Sequence, residues 1–188
     1  MSQPQHVIVT GAAGALGRAV AEHFLNQGAH VHALDISDEL LAAALAGADP
    51  GRVHGYEVDL TSRSDCMRCI ASIRENAERI DVLCNVAGGF MMGEGVAETS
   101  DETWDFLFNL NTKSVMHMAA AVVPLMRESG AGKIINVGAL AAGQGLGQMG
   151  AYIASKSATI RLTESLAAEL KPVGINVNGV LPLSLIHI

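Results

Sequence analysis

Short apolar runs that stop at glycine or aspartate alternate along this chain with longer stretches in which apolar residues recur at helical spacing. The first run, His6-Val7-Ile8-Val9-Thr10, ends at glycines and has the pattern of a strand buried in a parallel sheet. After the loop Gly11-Ala12-Ala13-Gly14-Ala15-Leu16-Gly17, the spacing of Ala19, Val20, Phe24 and Leu25 predicts a helix over Arg18–Asn26, with Gly28 as its stop. A second strand, His30–Leu34, ends at Asp35. A helix over Leu40–Ala46 and a turn at Asp49-Pro50-Gly51 follow. The alternation continues with a strand at Val53–Val58, a helix at Arg63–Arg79 and a strand at Val82–Val86. A glycine- and methionine-rich loop covers Gly88–Gly95. Trp104–Arg127 reads as one long helix with Pro124 near its end. A strand at Lys133–Val137, a helix at Tyr152–Lys171 and a sixth strand at Ile175–Val180 complete the pattern. Strand and helix alternating in this way predict an α/β fold, a doubly wound parallel sheet of the Rossmann type. No linker or internal repeat interrupts it, so residues 1–182 read as a single domain.

Composition narrows the function classes. Apolar residues make up 49% of the 188 residues and charged ones only 16%, which is the balance of a chain with a substantial core. The net charge of −7, without a basic stripe, argues against nucleic acid as a partner. The longest apolar run, Met116–Met126, is broken by Pro124 and too short to span a bilayer, so no membrane role is expected. No charged leader precedes the first strand. The three cysteines lack framework spacing, which points to a reducing, cytoplasmic setting. Cys66 and Cys69 form a Cys-x-x-Cys, but it lies inside a predicted helix and has no second ligand pair nearby, so no metal site is expected.

Two stretches carry candidate chemistry. Gly11, Gly14 and Gly17 lie between a strand and a helix, where a tight turn lets the backbone approach a pyrophosphate at the helix N-terminus. Asp35 closes the second strand 18 residues after Gly17. A carboxylate there accepts both ribose hydroxyls of NAD and repels the 2′-phosphate of NADP, so NAD(H) is expected over NADP(H). Neither Ile36 nor Ser37 brings a positive charge to reverse that preference. Further along, Tyr152-Ile153-Ala154-Ser155-Lys156 sets a phenol and an ammonium one helical turn apart on one face. A phenol alone titrates near about 10, and a neighbouring ammonium draws it towards the neutral range. Without context the pair reads as an ordinary helix surface.

Thr10-Gly11 with Gly17, Asp59-Leu60, Asn85-Val86-Ala87-Gly88, Asn111, and Tyr152 with Lys156 supply that context. Together and in order they resemble the short-chain dehydrogenase/reductase family from His6 to Pro182. The resemblance implies an oxidoreductase that moves a hydride between a nicotinamide and a carbonyl, alcohol or quinonoid small molecule. It further implies that Gly11, Gly14, Leu16, Gly17, Asp35, Asp59, Leu60, Asn85, Ala87, Gly88, Tyr152, Lys156 and Pro182 bind or border the cofactor. Asp59 and Leu60 would flank the adenine. Tyr152 would be the proton donor or acceptor, Lys156 would assist it and bind the nicotinamide ribose, and Asn111 would hold a water linking Lys156 to solvent. Homodimers or tetramers are implied, pairing through Trp104–Arg127 and Tyr152–Lys171. The bland alternatives are that Asp59 caps the next helix and that Asn111 is a satisfied polar residue.

The chain departs from the family pattern at three places. The middle glycine of the loop is Ala15, with Gly14 one place earlier. The serine that family members carry 13 positions before the tyrosine is Ala139, which has no donor for the reacting oxygen. Losing one such donor lowers rates by roughly 10²–10³. Ser155 follows Tyr152 on the helix and is expected to point elsewhere. Gly14-Ala15-Leu16-Gly17, Val86-Ala87-Gly88-Gly89 and Gly138-Ala139 are similar to stretches of dihydropteridine reductases, a branch with alanine at this place and a reactive quinonoid substrate; Asn111 does not follow that branch. Finally, Asn178-Gly179-Val180-Leu181-Pro182 is similar to the family's sixth strand, after which a substrate lid and a seventh strand are expected. Residues 183–188 instead read as the translation of a library adapter, a non-native tail. A second function class stays open, a dinucleotide-binding protein with little catalysis, and so does a chain left unstable by the missing strand.

Overall fold

Each of the six apolar runs becomes a strand in the computed structural model, which describes residues 3–183. The strands are β1 (His6–Thr10), β2 (His30–Asp35), β3 (Val53–Glu57), β4 (Val82–Asn85), β5 (Gly132–Val137) and β6 (Ile175–Val180). All neighbours are parallel, in the order β3-β2-β1-β4-β5-β6. The chain therefore winds outward from β1 in one direction, returns to β4, and winds outward in the other. That reversal opens a crevice at the carboxyl ends of β1 and β4, where ligands of doubly wound sheets bind.

The helices are α1 (Ala15–Asn26), α2 (Asp38–Ala44), α3 (Arg63–Arg74), α4 (Asp101–Phe108), α5 (Ser114–Ser129) and α6 (Gly150–Leu170). Alternate residues of β1 serve the two faces of the sheet. Ile8 joins Leu34, Ile73, Leu83, Met118, Ile134 and Leu170 in a core beneath α3, α5 and the end of α6. Val7 and Val9 join Ala21, Val31 and Leu41 in a second core beneath α1 and α2. Fully burying a side chain such as Ile8 or Leu83 stabilises the fold by about 1.5–3 kcal/mol.

Several helix bounds differ from the sequence expectation, each for a local reason. Helix α1 starts at Ala15, so the second half of the glycine loop is already its first turn, with Gly14 at the N-cap. Helix α2 starts at Asp38 because the Ser37 hydroxyl accepts from Leu40 N and two acidic residues follow. Helix α3 ends at Arg74, and buried Ala77 and Ile80 lie in the connection to β4. The expected long helix Trp104–Arg127 is two helices joined by a π-helical turn, Asn109–Lys113. The wider turn brings Asn111 inward, a shift that hydrophobic periodicity does not report. Pro124 sits within α5, five residues before its end at Ser129. Of the expected adapter-derived tail only Leu183 is described, and it is exposed; residues 184–188 lie outside the described residues. Among the described residues no helix is long and apolar enough to cross a membrane.

Candidate active site

Two cavities open at the carboxyl edge of the sheet. The larger, about 560 Å³, is lined by Gly11, Gly14, Leu16, Gly17, Asp35, Asp59, Leu60, Ala87 and Gly88, with apolar walls from Ile36, Leu40 and Val58. The smaller, about 240 Å³, is lined by Phe90, Ala139, Met149, Tyr152, Lys156 and Pro182 among others. Val86 and Gly88 border both, so the two form one trough that passes over the end of β4.

The glycine turn is built for close approach. Gly14 N donates to Gly11 O at 3.1 Å, and a Cβ at Gly17 would run into that same carbonyl. No side chain caps the N-terminus of α1 and no acidic residue occupies its first turn, so its free N–H groups and positive dipole end face the larger cavity uncompensated. Asp35 is pinned against the turn. Its Oδ2 accepts from Ala13 N at 2.9 Å and its Oδ1 from Ile36 N at 2.8 Å. Asp35 and Asp59 are the charged residues lining this cavity, and neither lysine nor arginine does. Arg18, the nearest cation along α1, is paired with Glu22 at 2.9 Å. Asp59 does not cap α3. Its Oδ1 accepts from Thr61 N and Thr61 Oγ1, and the cap is Ser62, which accepts from Asp65 N.

Beneath the trough lies a buried polar ladder. Asn85 Nδ2 donates to Asn136 Oδ1 at 2.8 Å, and Asn136 Nδ2 to Thr163 Oγ1 at 2.9 Å, which ties β4, β5 and α6 together. Asn85 reaches neither cavity. Thr10 takes the N–H groups of Val86 and Ala87 on its hydroxyl, at 3.0 and 3.1 Å, and so sets the loop that carries Gly88. Asn111, 1% exposed, accepts from Gly89 N and donates to Gly89 O and Ser155 Oγ. Both ends of its amide are therefore taken by protein groups, and it stands one layer behind the trough. Ser155 does point away from the cavity, yet its hydroxyl receives Asn111 and donates to Tyr152 O at 2.8 Å. The π-helical turn is thus fastened to the helix that carries Tyr152. Sequence reasoning passed over Asn136 and gave Ser155 no role; a buried-polar reading of β5 and α6 is the signal that finds them.

Tyr152 and Lys156 meet the same cavity from one face of α6. The Lys156 ammonium donates to Val137 O at 2.9 Å and is 5% exposed. Burial lowers its pKa from 10.5 to about 8. Burial also raises the Tyr152 phenol above its ordinary value, the opposite of the direction a neighbouring ammonium was expected to produce. Gly88 lies against both supports: a Cβ there would stand 2.9 Å from Asn111 Oδ1 and 3.0 Å from Lys156 Nζ. Ala139, 7% exposed, turns a methyl group to the cavity where the family pattern has a hydroxyl. The cysteines take no part. Cys66 and Cys69 are buried in α3 with thiols pushed up to about 11 and about 12, first by burial. Among the described residues no group of three or more His, Cys, Asp or Glu is arranged to hold a metal ion.

Comparison with known proteins follows the same outline. The sequence profile of the family described as short chain dehydrogenase matches residues 5–185. The NAD-dependent glycerol dehydrogenase of Listeria innocua is 37% identical over 175 residues, 93% of this chain and 68% of that protein. The crystal structure of an NAD⁺-bound xylitol dehydrogenase superposes with a TM-score of 0.91 at 30% identity, over 95% of this chain and 69% of that one. A metagenomic short-chain oxidoreductase in complex with NADP gives 0.90 at 30% identity, over 96% and 83%. The chain spans about two thirds of the length of the glycerol and xylitol dehydrogenases.

Proposed function

Since this chain belongs to the short-chain dehydrogenase family, a family of oxidoreductases, we propose that it transfers a hydride between NAD(H) and a small carbonyl, alcohol or quinonoid compound. The observation that carries the reading is the cavity over the glycine turn and the Asp35 carboxylate, which adjoins at Val86 and Gly88 the cavity holding Tyr152 and Lys156.

The residues present fit a dinucleotide. The uncapped N-terminus of α1 suits a pyrophosphate, Asp35 a pair of ribose hydroxyls, and the walls formed by Ile36, Leu40 and Val58 an adenine ring. Asp35 and the absence of a lining cation support NAD(H) over NADP(H), because a 2′-phosphate there would meet a carboxylate and no partner. When bound, the nicotinamide supplies or removes the hydride. Tyr152 delivers its phenolic proton to the carbonyl oxygen, or takes one from an alcohol in the reverse direction. Lys156, a cation below about pH 8, stabilises the phenolate left behind. Asn111 and Ser155 position α6 through Gly89 and the Tyr152 carbonyl.

Ala139 supports two refinements. Either the substrate is activated, as a quinonoid ring is, and needs little help at its oxygen, or the chain binds dinucleotide with little catalysis. Following NADH consumption against a panel of carbonyls and quinonoid pterins, in the wild type and Tyr152→Phe, separates these readings. Tyr152-dependent consumption supports the enzyme; binding without it supports the second class. Ala139→Ser should raise turnover of simple ketones by roughly 10²–10³ if the missing donor is what limits them. Exposed Trp104, Phe106 and Met116 on α4 and α5 support pairing of two copies through those helices, which sedimentation would test.

A further inference from the structure

Among the described residues the Tyr152 hydroxyl has no protein hydrogen-bond partner; the bond made to this residue goes to its backbone carbonyl. Position 139, where a hydroxyl could hold the phenol in place, is a buried alanine. The orientation of the ring therefore rests on packing, and one contact stands out. Phe90 meets Tyr152 edge to face, with ring centroids 4.9 Å apart and planes at 82°. This is a geometry that aromatic quadrupoles favour. Both rings line the smaller cavity.

Phe90 is itself held on both sides. Its neighbour Gly89 is gripped by Asn111, which accepts from Gly89 N at 2.8 Å and donates to Gly89 O at 3.0 Å. Three residues beyond Phe90, Gly93 N donates to Gln148 O at 3.0 Å, which ties the loop to the segment entering α6 just before Tyr152. Gln148 adopts a left-handed φ of 61°, so the segment that makes this tie is itself held in an unusual conformation. The loop is thus pinned at Gly89 and Gly93, on either side of Phe90, whose ring, 38% exposed, rests against the phenol.

We propose that Phe90 is a positioning residue for Tyr152: its ring supplies the orienting contact that a hydrogen-bonding side chain at position 139 would otherwise provide, and it shields the phenol from water. The kinetic part rests on the proposed role of Tyr152 as proton carrier; the shielding part does not.

The chain contains two tyrosines, so a Tyr56→Phe background leaves Tyr152 as the sole phenol for an absorbance titration. In that background Phe90→Ala should bring the phenol's midpoint down towards about 10, because water regains access to it. Phe90→Leu, which keeps the bulk but not the quadrupole, should leave the midpoint near that of the parent. Kinetically, Phe90→Ala should lower kcat about tenfold with KM little changed, the scale of one lost edge-to-face contact. The loss should shrink in an Ala139→Ser background, where a hydroxyl offers the phenol a second restraint. An unchanged midpoint in Phe90→Ala, with melting temperature preserved, overturns the shielding role whether or not the protein turns over any substrate. An effect on KM alone, or an equal loss in both backgrounds, overturns the orienting role. If Phe90→Ala does not fold, the kcat of Phe90→Leu in the two backgrounds decides in its place. Tyr152-independent turnover would instead contradict the proposed function and leave the titration to judge Phe90.

Discussion

Replacing His32 by leucine removes an imidazole held in an environment that disfavours its charge. His6, His30, His32, His54 and Tyr56 share one face of the sheet at its β1-β2-β3 side, with His6 opposite His30 and His32 opposite His54. The His6 ring stacks on His30 and His32 at centroid distances of 5.0 and 5.5 Å, and His32 stacks on His54 at 6.1 Å. His32 is 1% exposed. Its Nε2 meets His6 Nδ1 at 3.2 Å and its Nδ1 has no partner. Burial, then His6, His54 and His30, push it from 6.5 down to about 4. Other charged groups near the row are Asp81 and Arg79, which act on His6 in opposite directions, and Asp49, which faces His30. From α3 the row's Tyr56 meets Cys69, whose thiol is held neutral by burial. A histidine whose folded pKa lies below its unfolded one binds its proton more readily in the unfolded chain. The neutral His32 therefore contributes stability that is fully present above about pH 6.5 and is lost as pH falls towards 4. The loss amounts to about 3 kcal/mol. Urea unfolding of wild type and His32→Leu, from about pH 7.5 to about pH 4, isolates this term because carboxylates common to both cancel in the difference. The wild type should weaken relative to the variant across that window by about 3 kcal/mol. Stability curves that stay parallel would refute the reasoning.

Three further outcomes follow from the trough. Gly17→Ala drives a methyl group into the Gly11 carbonyl, so it should abolish NADH binding or destabilise the fold by more than about 2 kcal/mol, read by fluorescence titration and thermal melting. Asp35→Ser should weaken NADH binding by roughly tenfold and improve NADPH binding, because the carboxylate proposed to accept two ribose hydroxyls is replaced by a single hydroxyl without charge. Competition between the two cofactors measures it. Turnover should fall as pH rises through about 8, where buried Lys156 loses the proton that stabilises the phenolate. Lys156→Met should remove that limb of the profile along with most of the rate.

The positions of the strands and of the glycine turn were legible because both rest on local signals. Apolar runs such as Val7–Val9 cannot be exposed, and the spacing of Gly11, Gly14 and Gly17 has a steric cause visible at the Gly11 carbonyl. The pairing of Tyr152 with Lys156 was legible from helical spacing, and their common cavity agrees with it. The supports of the site were harder to read. Asn111 owes its position to a π-helical turn, and one extra residue in a helix leaves no trace in a hydrophobic pattern. The aromatic contact of Phe90 joins residues 62 positions apart on different elements, which no local rule connects. The direction of the Tyr152 shift was misjudged because sequence shows the neighbouring charge but not the burial. The histidine row went unseen for a related reason: four of the seven scattered histidines become a row only once the register of β1, β2 and β3 is known.

The proposed reaction is hydride transfer with the proton carried by Tyr152. Its most direct test uses NADH deuterated at the transferring carbon, incubated with the protein and the carbonyl or quinonoid compound it consumes fastest. The reduced product should carry the deuterium with the wild type, and Tyr152→Phe should still bind NADH but yield no labelled product. Labelled product formed equally well by Tyr152→Phe, or NADH bound tightly by the wild type without label transfer to any acceptor, would contradict it.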